Sequence, residues 1–170
     1  MKLTDFFSRL INGKSVVNDQ RSFDEDCITL KIVSDLKQIP ILAKYQWRES
    51  RNCFEYKTEY GFNRIAIETS ISFDLERGTS CVSIRPSMYL RHNILHDWFS
   101  EFSFKSKSDQ KESWSVGRSL EMVGLQDEVN FLSGYKNYDQ DFQKLYEGIE
   151  KLISVIEPYS DIKYLGSLGK

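Results

Sequence analysis

The segment Cys53–Asp74, CFEYKTEYGFNRIAIETSISFD, alternates in polarity along most of its length. Phe54, Tyr56, Thr58 and Tyr60 alternate with Glu55, Lys57 and Glu59. Beyond Gly61, the residues Ile65, Ile67, Thr69, Ile71 and Phe73 alternate with Ala66, Glu68, Ser70, Ser72 and Asp74. A period of two is that of a pleated strand, whose successive side chains point to opposite faces. Gly61 supplies a turn between two such strands. One row is apolar and the other mostly polar, which predicts a sheet covered on one side and solvated or thinly covered on the other.

Reading outward, "DLERG" (Asp74–Gly78) can turn the chain back into a third strand over Cys81–Leu90, with Val82, Ile84 and Met88 on one face. Pro86 has no N–H to donate, so this strand should lie at an edge or end there. An antiparallel meander over Cys53–Leu90 results. The strongest helical signal is carboxy-terminal. Phe142, Leu145, Tyr146, Ile149, Leu152, Ile153 and Ile156 form one stripe, with Asp139 and Asp141 before it and Pro158 after it. Shorter helices are predicted over Leu3–Ile11, from about Asp24 to Gln38 ahead of Pro40, over Asn93–Phe102 and over Leu125–Leu132 before Gly134. In the helix at Asn93–Phe102, Ile94, Leu95, Trp98, Phe99 and Phe102 are expected to form the buried side. The stretch "KSKSDQKES" reads as a loop, with Trp114 and Val116 marking a further strand. The class is α+β: an antiparallel meander sheet packed against helices on one face, with a long C-terminal helix, in a single domain spanning 1–170.

Composition narrows the function classes. With 170 residues, 40% hydrophobic and 28% charged, the chain is long enough and apolar enough to bury a core without staples. Its 23 basic and 25 acidic residues leave a net charge of −2, so no overall attraction to nucleic acid or anionic membrane is built in. Asp5 and Arg9 interrupt what would be the apolar part of a signal peptide, and no stretch has the length of a membrane span, which predicts a cytoplasmic protein with no membrane partner. Cys27, Cys53 and Cys81 are odd in number and widely spaced, as expected of buried, reduced thiols rather than a disulfide or zinc framework.

The candidate chemistry centres on "YLRHNILHDWF" (Tyr89–Phe99), which holds both histidines, His92 and His96, four residues apart. On a helix surface such a pair can share a metal ion, or act as acid and base in a hydrolase or ribonuclease. A catalytic zinc site needs a third ligand and a base, and in H-E-x-x-H the base follows the first histidine, where this chain has Asn93. No cofactor is therefore expected. No G-x-S-x-G elbow or P-loop is present. The stretch "KYQWRESRNCFEYK" interleaves Lys44, Arg48, Arg51 and Lys57 with Tyr45, Trp47, Phe54 and Tyr56, a pattern that could serve single-stranded nucleic acid, although Glu49 and Glu55 interrupt it.

The order helix, "RESRNCFEYKTEYGFNRIAIETSISFD", hairpin, "CVSIRPSMYL" and helix, over about Ala43–Phe102, resembles small bacterial α+β families of unknown function, some of which look like immunity proteins encoded beside toxins. The resemblance implies a binder rather than an enzyme, with a protein partner. On that reading the acidic Glu68 and Asp74 would suit a basic partner such as a nuclease, and Trp47 and Tyr56 would act as anchors.

Overall fold

The alternating segment becomes the centre of an antiparallel sheet in the computed structural model, which describes residues 27–74, 79–135 and 137–161. The strands are β1 (Gln46–Arg48), β2 (Cys53–Thr58), β3 (Gly61–Asp74), β4 (Thr79–His92), β5 (Val116–Ser119) and β6 (Val129–Leu132). They lie in the order β1-β2-β3-β4-β5, with β6 also on β4. β3 and β4 pair along their whole 14-residue lengths, from Gly61 opposite His92 to Asp74 opposite Thr79. The turn predicted in "DLERG" lies, apart from Asp74, outside the described residues.

Register sets the faces, because a one-residue slip would turn every side chain over. Phe54 faces Ile65 across β2–β3, Ile65 faces Met88 across β3–β4, and Val82 faces Phe131 across β4–β6. All of these are buried. The far edge of β4 is shared: β6 pairs with Cys81–Ile84 and β5 with Ser87–Leu90. Arg85 and Pro86 fall in the gap, where a residue without an N–H removes nothing from a ladder. Pro86 therefore divides the edge between two strands instead of ending β4.

Two helices cover one face. Helix α1, over residues 27–36, contributes Ile28, Ile32 and Leu36, and the long α4 (Tyr138–Ile156) contributes Leu145, Ile149, Leu152, Ile153 and Ile156. They close over Phe54, Ile65, Ile67, Val82, Ile84, Met88 and Leu90 in one cluster. Each such side chain contributes about 1.5–3 kcal/mol by leaving water. Truncation of the fully buried Ile149 to Ala would cost roughly 2–5 kcal/mol. Asp139 and Asp141 stand in the first turn of α4, where acidic groups favour the positive helix end. Pro158 follows its end inside a 3-10 turn, Glu157–Ser160.

Three readings of local structure change. Leu125–Leu132 is not a helix: Val129 and Phe131 point into the core while Asn130 is exposed, a period of two that makes β6. "KSKSDQKES" holds a short helix, α3 (Lys107–Glu112), capped by Ser106, whose Oγ accepts from the Asp109 N–H at 3.2 Å. Helix α2 (Asn93–Ser100) forms as predicted, but none of its residues is buried. The thiols are free, Cys53 and Cys81 buried and Cys27 half-buried. The helix predicted over Leu3–Ile11 lies outside the described residues. Among the described residues no helix is long and apolar enough to cross a membrane.

Candidate functional site

The two histidines occupy different surroundings. His92 ends β4 in the row of Met88 and Leu90, so its ring turns into the interior, is 0% exposed and stacks on Tyr60 at 5.2 Å and 10°. Neither ring nitrogen has a hydrogen-bond partner, while its backbone N–H donates to Ser115 Oγ at 3.0 Å. His96 lies half-buried on α2, its Nδ1 3.1 Å from Ser113 Oγ. Ser113 gives its single proton to the Gln110 carbonyl at 2.7 Å, which leaves His96 Nδ1–H as the donor to Ser113 and Nε2 as the basic nitrogen. Burial first, and then the Arg91 cation, lowers the His96 pKa below its ordinary value, against the opposing pull of Asp97.

His96 lines a cleft of about 200 Å³ with Phe99, Lys105, Gln110, Ser113 and Trp114. None of the described residues lining that cleft is a carboxylate, and the Ser113 hydroxyl is committed to a carbonyl. Among the described residues no three His, Cys, Asp or Glu side chains converge as metal ligands. The arrangement offers hydrogen bonding and ring stacking.

The residues singled out for a partner do not share a face. Trp47 and Tyr56 belong to the helix-covered side: Trp47 packs on Phe54 at 4.9 Å and Tyr56 on Tyr45 at 5.7 Å. Glu68 is exposed on the opposite side, in the row of Ala66, Ser70 and Ser72. Asp74 is the last residue of β3, paired with Thr79. The basic residues Lys44, Arg48 and Arg51 reach the molecule's own carboxylates but stay 41–45% exposed, and Lys57 is exposed as well. Lys44 pairs with Glu157, and Arg48, Arg51 and Arg64 converge on Glu55 at 3.7, 3.5 and 2.8 Å.

The uncovered face carries other groups as well. Arg85, whose register partner on β3 is Glu68, binds Asp127 at 2.7 Å and Glu128 at 3.1 Å, so two carboxylates meet on one guanidinium. Tyr89, four residues along in the same row, stacks against Trp114 at 5.3 Å and 16°, and Trp114 remains 54% exposed. Arg91 in that row donates to the Gln110 carbonyl at 3.2 Å, drawing α3 toward the same side. The parity of Tyr89 with Arg85 was legible as alternation; the stack with Trp114, 25 residues on, had no sequence signal.

Helix α2 is turned inside out relative to expectation. Its polar His96 meets the body of the protein, while Ile94, Trp98, Phe99 and Phe102 are 57–68% exposed. Trp98 packs edge-on against Phe99 at 4.7 Å and Phe102 at 5.8 Å, making one aromatic cluster. No protein-family model matches the chain, and neither does any curated protein or solved structure.

Proposed function

We propose that this chain is a protein-binding module that receives its partner on the uncovered face of the sheet. The observation that carries this is the asymmetry of the sheet. The helices α1 and α4 cover one face over Ile65 and Ile67 and leave Ile71 and Phe73 exposed at its end, while the other face buries Cys81, Ser83 and Ser87 but leaves Glu68, Ser70 and Ser72 exposed, with Trp114 over Tyr89 farther along. A half-exposed tryptophan beside a flat polar surface is the composition of an interface anchor with a hydrogen-bonding rim.

Charge gives the partner its sign. Glu68, Asp127 and Glu128 against Arg85 leave this part of the surface negative, which favours a basic protein surface and speeds its approach. An immunity protein that occludes a basic toxin domain, such as a nuclease, is the most concrete form of this reading. The separation of His92 from His96 supports a binder over a histidine-based hydrolase.

The test is calorimetric titration of the chain against a nuclease-like toxin domain encoded by a neighbouring gene, followed by Glu68→Lys and Trp114→Ala. Each variant is expected to weaken binding at least tenfold while the melting temperature falls by no more than about 4 °C. Absence of such a neighbour, no binding by the wild type, or full binding by both variants overturns the reading.

A further inference from the structure

We infer that α2 pairs with α2 of a second copy of this chain, through an apolar side that adjoins the sheet face where Phe99 and Trp114 line the same cleft. An amphipathic helix on a globular domain ordinarily turns its apolar side to the core. Here Ile94 is 57% exposed, Trp98 58%, Phe99 57%, Phe102 68%, and Phe104, two residues on, is fully exposed. At 150–250 Å² for a large aromatic side chain, Ile94, Trp98, Phe99 and Phe102 at these exposures present roughly 500 Å² of apolar surface. That is at the upper end of the largest patch on a monomer, and two copies together would bury about 1,000 Å², the size at which an interface becomes specific.

The rim decides between occupants. Asp97 and Glu101 flank the cluster on the helix, and Lys105 and Lys107 follow it, so the two signs balance. A balanced rim around an apolar centre does not repel its own copy, and the net charge of −2 adds little at longer range. The same balance gives no attraction to an anionic bilayer, whose interfacial helices carry an excess of Lys and Arg. A convex helix also suits another helix, ridge into groove, without a preformed recess. A two-fold pair would bury Trp98 and Phe102 of each copy at its centre, an isologous contact that closes after two copies.

The experiment is sedimentation velocity of the purified full chain across the micromolar range, with Trp98→Ala and Phe102→Arg, checked for folding by circular dichroism, and Glu68→Lys alongside. The wild type and Glu68→Lys are expected at twice the mass of one chain, and both Trp98→Ala and Phe102→Arg at half that. A wild type that stays monomeric throughout overturns the inference. So does a dimer unchanged in either folded α2 variant, or a monomer that sediments with phosphatidylcholine–phosphatidylglycerol vesicles. If the dimer disappears in the α2 variants while toxin binding persists, the self-association and the sheet-face reading stand independently.

Discussion

Tyr138 donates from its hydroxyl to Asp35 Oδ2 at 2.7 Å, joining the first turn of α4 to the end of α1 across 103 residues of sequence. Lys31 completes the contact, its Nζ 2.8 Å from the same carboxylate and 4.5 Å above the Tyr138 ring. The two helices that seal the core are thus tied by one charge-assisted hydrogen bond. Tyr138→Phe leaves the packing in place and removes that bond, with an expected loss of about 1–2 kcal/mol, read by urea denaturation at neutral pH.

The same contact gives a pH dependence with a definite sign. Burial acts to raise the Asp35 pKa, but the hydrogen bonds from Lys31 and Tyr138 outweigh it and hold the carboxyl below its usual 3.8. A carboxyl lowered in the folded state contributes stability that is complete above its unfolded pKa and is lost as pH falls through the folded one. Stability should therefore decline below about pH 4, and Asp35→Asn should flatten that part of the curve. An equal slope in wild type and variant between pH 5 and pH 2 would assign the acid transition to other carboxylates.

Gly61, the first residue of β3, lies against the β4 backbone so closely that a Cβ would stand 1.9 Å from the Arg91 carbonyl oxygen. Backbone cannot yield as a side chain can, so Gly61→Ala must open the β3–β4 pairing where His92 passes into α2. An expected loss of more than about 2 kcal/mol follows from overpacking of this kind, measured by thermal melting. The site of the loss distinguishes the cause: hydrogen exchange should quicken at Asn93, whose N–H donates to the Tyr60 carbonyl at 2.7 Å, before it quickens in β2.

Much of this architecture was legible. The alternation of Ile65, Ile67 and Glu68 set β3 and its faces, and the stripe of Leu145, Ile149 and Leu152 set α4, because burial on one side imposes a period that local sequence carries. Pro86 marked a missing neighbour but not that two strands share the edge. Val129–Leu132 was misread because four residues hold too little of either period. Periodicity announces an apolar side and says nothing of what covers it, so α2 was read as facing the core although Trp98 and Phe102 face outward. The stack of Tyr89 on Trp114 and the gathering of Asp127 and Glu128 at Arg85 depend on strand pairing across long separations, which alternation does not encode.

His96 titration reports whether α2 keeps its polar side on the protein. Burial and Arg91 lower its pKa in the folded state, so the neutral ring is favoured and the associated stability, full above the ordinary 6.5, is lost as pH falls through the lowered value. The ring resonance in proton NMR should titrate below 6.5, and Arg91→Ala should move it upward. A midpoint at 6.5 or higher in the wild type would mean that α2 turns His96 to water in solution. His96→Ala should leave the fold intact, since the ring lies at the edge of a cleft.

Two tryptophans on opposite faces separate stability from binding. Trp47 sits half-buried against Phe54 at 4.9 Å, beneath the Lys37 ammonium at 5.8 Å, and its loss removes core contact. Trp47→Ala is expected to lower stability by about 2–3 kcal/mol, less than the loss for a fully buried aromatic. Trp114 keeps more than half its surface in water and rests on a single ring, so Trp114→Ala should cost no more than about 1 kcal/mol. In a binding assay the order reverses. The Trp47 variant, measured well below its melting temperature, should retain wild-type affinity for the partner, whereas the Trp114 variant should lose it at least tenfold. Equal losses of affinity in both would place the binding surface on the helix-covered side, and a loss in Trp47→Ala alone would move it to the β1 edge.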